Sequence, residues 1–342
     1  MNVRRHHISA AALAAVTALG LGTLTACSSD STAAGNSDKF DVVASFYPMA
    51  FLAEQIGGEH VSVTSLTQPG QEPHDLEISA KQTAQLQESD AALYLKGLQP
   101  TVDEAIGQSE VGTKIDAATL TSLESHAAEA GGHEDEHADE HADEHADEHA
   151  DEHTDEHSAE EEHGHEHEDG QDPHVWLDPV KYAEVAEGVG KAFEKADPDH
   201  AADYKKNTEA LVGKLNALDE KFEAGLAGKK NSVFITTHAA FGHLAERYGL
   251  TEEAINGLDP ESEPSGARVK ELQKTAKADG VTTVFYETLV SDETAKTLAA
   301  DTGLKTDVLD PLEGITDKSR GDDYFQVMEA NLKALQTALG AK

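Results

Sequence analysis

The sequence predicts an α/β protein of two lobes, each on a mainly parallel sheet, joined by a long helix. Two observations carry this: short apolar runs alternate with helical stretches in both halves of the chain, and an amphipathic stretch from about residue 199 to Leu226 lies between them. A third feature is a tract rich in His, Asp and Glu from about residue 129 to 172, which is too charged to join a core.

The chain opens with Arg4-Arg5, an apolar stretch from Ile8 to Ala26, and Leu24-Thr25-Ala26-Cys27. A basic region, an apolar region and a small-residue cleavage site make residues 1–26 a signal peptide. Leu-Thr-Ala-Cys resembles the lipobox of bacterial lipoproteins, so Cys27 is expected to carry acyl chains, with 27–38, rich in Ser, Ala, Asn and Gly, as a tether. Cys27 is the sole cysteine, which excludes an intramolecular disulfide. No later segment has the roughly 20 apolar residues that span a bilayer.

The first lobe is expected over 39–178. Asp41–Phe46, Val61–Leu66, Ala91–Leu95 and Thr113–Asp116 read as strands, and Ala50–Ile56 and Ile78–Gln87 as helices. Within the acidic insertion, His-Ala-Asp-Glu repeats from His137 through His141, His145, His149 and His153, and no Lys or Arg occurs between Lys114 and Lys181. Such a segment repels itself and is expected to be disordered without a ligand. Histidines four apart share a helix face and chelate metals, so the tract reads either as a weak cation collector or as a solvated linker.

A helical linker is expected over 179–228. Val185, Val189 and Phe193 form one stripe, Asp197-Pro198 breaks the helix, and Leu211, Leu215, Leu218 and Phe222 form the stripe of a second helix. That helix is roughly 40 Å long at 1.5 Å per residue, enough to bridge two lobes. The second lobe is expected over 229–342: Ser232–Thr237, Val281–Tyr286 and Thr306–Leu309 read as strands, and Ala240–Tyr248 as a helix stopped by Gly249.

The formal net charge is −40, which argues against nucleic acid or an anionic membrane surface as partner and favours cations. Four residues stand where a cation could be held. His74 lies in a loop after a strand, His174 just after the tract, His238 at the end of a strand, and Glu313 past the last strand. Ligands in α/β folds bind where strand C-termini open into loops. Singly, each histidine is more often a satisfied core or surface residue. Together, three imidazoles and a carboxylate make a set that suits tetrahedral Zn²⁺; Mn²⁺ prefers more oxygen, and Cu²⁺ is not excluded by donor type. Asp310 competes with Glu313 for the acidic position.

In order, the chain carries the Cys27 lipobox, Pro73-His-Asp-Leu-Glu77, the His/acid insertion, Asp172-Pro-His-Val-Trp-Leu-Asp178, His238-Ala-Ala-Phe-Gly242, Glu263-Pro-Ser-Gly-Ala-Arg268 and Asp310-Pro-Leu-Glu313. This series resembles the zinc-uptake receptors of the metal-binding cluster of ABC-transporter substrate-binding proteins, which includes streptococcal zinc adhesin-type receptors. The resemblance covers about residue 39 to the C-terminus, apart from the tract. It implies a rigid connecting helix, metal in the cleft between the lobes, and His74, His174, His238 and, by motif position, Glu313 as ligands. It further implies a monomeric, non-enzymatic receptor on the outer face of the cytoplasmic membrane. Zn²⁺ would be its transported ligand, and an ABC permease with its ATPase its partners. Manganese receptors of the family usually carry a carboxylate where this chain has His238.

The alternatives are a manganese receptor, a storage or adhesin lipoprotein without a transport role, and a zinc hydrolase. The last needs an open coordination position and a general base, and a fourth protein ligand would fill the position that water needs. Glu72 and Glu287 are placed to reach the metal or to hydrogen-bond a ligand imidazole, with a surface role as the alternative for Glu72, and Asp178 is placed to orient the His174 loop. His243 reads as packing or surface, Trp176 as core, His60 and His200 as exposed, and Arg268 as a brace between the lobes.

Overall fold

The computed structural model describes residues 39–126 and 171–341. The leader 1–26, Cys27, the tether to residue 38 and the tract from 127 to 170 lie outside the described residues. The first sheet is β1 (Phe40–Ala44), β2 (Val61–Ser65), β3 (Ala91–Tyr94) and β4 (Thr113–Asp116), in the order β2-β1-β3-β4. The second is β5 (Val233–Thr236), β6 (Thr251–Ala254), β7 (Thr283–Tyr286) and β8 (Lys305–Val308), in the order β6-β5-β7-β8. Every strand pair is parallel, so the two sheets repeat one topology.

Parallel neighbours need crossovers. These are α1 (Tyr47–Gly57), α2 (Ala80–Glu88) and α3 (Pro100–Gln108) in the first lobe, and α6 (Gly242–Arg247), α7 (Gly266–Ala278) and α8 (Glu293–Thr302) in the second. Local chemistry sets their starts. Pro48 occupies the first turn of α1, and Ser79 with Gln82 forms a capping box on α2. Because helices cover both faces, alternate strand residues enter different cores. Val42 and Ala44 pack with α1, whereas Val43 packs with Leu66, Leu86, Val102 and Ile106. In the second sheet Ile235 and Val284 face Leu272 and Leu298, while Phe234 and Phe285 point the other way.

Between the sheets run α4 (Pro179–Ala196) and α5 (Ala201–Leu226), separated at Asp197-Pro198; α9 (Tyr324–Leu339) closes the chain. The Asp178 side chain accepts from Val180 N and caps α4. Helix α5 packs on α4, on α1 of the first lobe and on α9 of the second. Its stripe Leu211, Leu215, Leu218, Phe222 and Leu226 is buried, and each such side chain contributes about 1.5–3 kcal/mol. Gly190 lets α4 approach α5: a Cβ there would lie 2.3 Å from Thr208 Oγ1. One hydrophobic cluster runs from Val42 and Phe46 through α4 and α5 to Phe234, Leu309 and Leu335, so both lobes share a core. Among the described residues no helix is long and apolar enough to cross a membrane.

Three expectations are corrected, and one strand is added that the sequence did not show. Strand β6 (Thr251-Glu-Glu-Ala254) reads as polar sequence, yet it pairs with β5 because Arg268 donates to the Glu253 carboxylate at 2.8 Å and to Ala254 O at 2.9 Å. Arg268 is therefore a buried brace within the second lobe rather than between lobes. The helix expected over 240–248 shortens to α6, since Ala239 N bonds Gly257 O and holds the preceding residues in a loop. His60 and His200 are half-buried, their rings stacked 4.1 Å apart, and bond Asp203 and Asp197.

Candidate metal centre

Four loops at strand C-terminal ends and one 3₁₀ turn position the chemistry. His74 follows β2, and Gln99 fixes its loop by donating to Pro73 O at 3.1 Å and to Thr67 Oγ1 at 3.0 Å. His174 precedes the turn Val175–Leu177. Its Nδ1 donates to Asp172 Oδ1 at 2.7 Å, and its backbone N–H donates to the same oxygen at 2.9 Å. His238 follows β5 and donates from Nδ1 to Glu287 Oε1, just past β7, at 2.8 Å. Thr237 Oγ1 donates to that oxygen at 2.6 Å.

Glu313 follows Leu312, whose φ of 59° makes it the one non-glycine residue at positive φ among the described residues. That conformation costs about 1–3 kcal/mol and persists where the surroundings enforce it. Here Asp310 Oδ1 accepts from Leu312 N at 2.9 Å, and Asn331 clamps the Asp310 backbone on both sides, at 3.0 and 2.7 Å. The bend turns the Glu313 carboxylate inward.

The result is a convergence on one oxygen. Glu313 Oε1 lies 3.1 Å from His74 Nε2 and 3.4 Å from both His174 Nε2 and His238 Nε2. One donor atom from each of the four residues falls within 4.8 Å of every other. The exposures are 7% for His74, 0% for His174, 1% for His238 and 1% for Glu313. The Nε2 atoms of His174 and His238, and Glu313 Oε2, are buried without a hydrogen-bond partner. Buried polar atoms left unpaired cost free energy unless something else engages them. Three nitrogens and a carboxylate at this spacing are a ready donor set for a transition-metal ion.

Electrostatics favours the same reading. Burial works against charging His174, but Asp172 and Glu313 outweigh it and raise its pKa above 6.5. Burial likewise opposes charge on His238, and Glu287 with Glu313 overcomes it, holding the pKa well above 6.5. Burial pushes the Glu313 carboxyl up, yet the three imidazoles hold it well below the ordinary value. Without a cation, these shifts favour protons on His174 and His238 opposite a charged Glu313.

The described chain matches, over residues 42–338, the family model for ZnuA, the periplasmic zinc-uptake complex component A. The chain belongs to the ZnuA family. It is 36% identical over 319 residues to the zinc-binding lipoprotein AdcA of Streptococcus pneumoniae, covering 92% of this chain and 58% of that protein. It therefore spans little more than half the length of that relative. It is 33% identical over 326 residues to the high-affinity zinc uptake system protein ZnuA of Bacillus subtilis, covering 93% of this chain and 94% of the relative. Among solved structures, the Zn(II)-bound ZnuA-like domain of S. pneumoniae AdcA superposes with a TM-score of 0.67 at 32% identity, covering 88% of this chain and 99% of that one. Two α/β lobes are the architecture this ZnuA-family chain shares with that domain.

In this family member the other sequence candidates fall elsewhere. Asp310 stays in its own loop, accepting from Leu312 N and, at 3.3 Å, from Thr288 Oγ1. Glu72 accepts from Asp75 N at 3.2 Å, and burial raises its pKa to about 7. Trp176 is wholly buried but not inert: its indole N–H donates to Pro311 O at 2.7 Å, tying the His174 loop to the Glu313 loop. His243 is buried at 1% exposure in a second group with His126 and Asp172. Asp172 is the residue that composition hid, because it reads as the tail of the acidic tract. Its signal was local: an Asp two residues before His174, with Pro between, is the pattern of a side chain that folds back on the backbone.

Proposed function

We propose that the chain is an extracytoplasmic zinc receptor, anchored through Cys27 to the outer face of the cytoplasmic membrane. It takes Zn²⁺ as cargo on His74, His174, His238 and Glu313 and delivers it to an ABC permease and its ATPase. The observation that carries this reading is the approach of three Nε2 atoms to a single Glu313 oxygen in a buried pocket. Relatives named for zinc binding and zinc uptake support it.

The chain's own residues account for each requirement of a carrier. Asp172 and Glu287 hold Nδ1–H of His174 and His238, which leaves the Nε2 lone pairs for the ion once the imidazoles are neutral. His74 also lines an interlobe cavity of about 550 Å³ with Leu98 and Pro100 on one side and Gly257 and Asp259 on the other, so the ion reaches the pocket past His74. The common core through α4 and α5 resists hinging and keeps lobe closure small. Release then falls to the permease, which pries the loops apart. Four protein ligands fill a tetrahedron and leave no position for an activated water, which supports a binding protein rather than an enzyme. Three nitrogen donors favour Zn²⁺ over Mn²⁺.

The test is growth of the source cells in zinc-depleted medium. Removal of the protein should lower zinc uptake, and the full chain should restore it. His238→Ala should not restore it, although the protein is made in equal amount. Restoration by His238→Ala would overturn this reading.

A further inference from the structure

A second set of donors meets at the neck of the acidic insertion. His126 is the last described residue before the insertion, and Asp172 lies just beyond it. Asp172 N donates to Glu124 O at 2.9 Å, and His126 Nδ1 lies 3.0 Å from Asp172 Oδ2, so the two strands of the neck are held side by side. From α6 in the other lobe comes His243, whose Nε2 lies 3.8 Å from the same Asp172 Oδ2 and donates to Asp172 O at 2.9 Å. The His126 and His243 rings meet edge to face, with centroids 4.4 Å apart. One donor atom from each of the three residues falls within 4.8 Å of the others.

The geometry points to a second divalent-cation site at this neck, held by His126, Asp172 and His243. Two imidazoles and a carboxylate suit a zinc-like transition metal, with a fourth position for water, while Glu246 Oε2, 2.9 Å from His126 Nε2, holds the ring from its other nitrogen. Binding replaces the proton that His126 Nδ1 now shares with Asp172 Oδ2 and the Nε2 proton that His243 now gives to Asp172 O, so each cation bound releases protons. Asp172 and His243 are buried, unlike an incidental surface cluster. Space for His126 is provided at Gly242, where a Cβ would lie 2.5 Å from His126 Cβ and 2.7 Å from Asp172 Oδ2. His126 also borders a surface cavity of about 370 Å³ whose lining carries Glu246, Glu252, Glu253 and Glu271 against a single Arg268, which pairs with Glu253 and Glu271, leaving a net acidic approach for a cation.

The neck site joins two features described separately above. It sits where the His-rich tract returns to the fold, and its Asp172 is the residue whose other oxygen orients His174. A cation on Oδ2 draws charge away from Oδ1, so occupancy of the neck and of the four-residue pocket change one another's affinity reciprocally. This link, unlike the neck site itself, rests on the zinc-receptor reading.

The experiment is a zinc titration of the full chain in which the ten histidines from His133 to His167 are replaced by glutamine, so that tract binding is silent. The expected stoichiometry is two ions per chain. It falls to one in the added His126→Gln variant and to one in a separate His243→Gln variant, with the tighter step retained in both. His238→Ala on the same background keeps the weaker step. Circular dichroism confirms folding, and half-buried His126 gives the variant least prone to unfold. A background that binds one ion, lost with His238→Ala, overturns the neck site and leaves the pocket standing. Two ions retained in His126→Gln overturn it as well.

Discussion

His174 gives both its backbone N–H, at 2.9 Å, and its Nδ1–H, at 2.7 Å, to one oxygen of Asp172. The imidazole is thereby held in one tautomer and one orientation, with Nε2 aimed at Glu313. A partner of this kind typically contributes 10–100-fold in metal affinity. Asp172→Asn keeps the shape but can turn its amide nitrogen toward Nδ1. Zinc affinity of the full chain, read by competition with a chromophoric chelator, should fall by about that factor; an unchanged affinity would show that Asp172 does not act on the pocket.

The two carboxylates of the 310–313 loop have separable duties. Glu313→Gln should remove most zinc affinity while the fold persists. Asp310→Asn should keep zinc binding and lower stability by about 1–3 kcal/mol, because Leu312 N then loses a charged acceptor. Isothermal titration and thermal melts of both variants make the comparison. The reverse pattern would give the pocket's acidic position to Asp310.

Acid should release zinc. His174 and His238 have pKa values raised above 6.5, so protons compete with the ion from above that pH downward, and affinity falls as pH falls. Stability of the zinc-free protein runs the other way. A raised imidazole pKa contributes stability that is complete below 6.5 and lost as pH rises through the folded value. Glu313, depressed below 4.5, contributes above 4.5 and loses its share as pH falls through its folded value. These groups therefore stabilise the zinc-free form most between 4.5 and 6.5, and the rise in Tm on adding zinc should widen as pH climbs from 6 to 8 or so. Melts across that range with and without zinc check the sign.

Trp176→Phe keeps the aromatic packing against Phe46 but removes the indole donor, leaving Pro311 O buried without its partner. The expected cost is about 1–3 kcal/mol in stability, with weaker zinc binding because the His174 and Glu313 loops lose their tie. Denaturant unfolding and a zinc titration read the two effects separately; a loss of stability with unchanged zinc affinity would limit Trp176 to the core.

The architecture was legible because its signals are local. Strand-length apolar runs, the Asp197-Pro198 break and the 211–222 stripe each declare an element without reference to the others. Strand β6 was not, since Glu252 and Glu253 hide a paired edge whose carboxylates are met only in three dimensions, Glu253 by Arg268 and Glu252 by Thr236 Oγ1 and the Phe241 backbone N–H. The four pocket residues stand beside prolines and strand ends, which sequence displays. What separates Glu313 from Asp310 is the positive φ at Leu312, and leucine carries no mark of that conformation. Asp172 and His243 were obscured for opposite reasons. The first was merged with a tract of like composition, and the second sits on a helix of only six residues, too short for periodicity to say which way it faces.

The central claim, that the interlobe pocket is the tight zinc site, meets its most direct test in metal competition on the full chain. Zinc and manganese affinities are measured with the tract histidines intact, with those from His133 to His167 replaced by glutamine, and with His238→Ala. The account predicts a tight zinc step that survives loss of the tract histidines, resists displacement by manganese and disappears in His238→Ala. Tight binding that disappears with the tract histidines and survives His238→Ala would contradict it and make the chain a tract-based chelator.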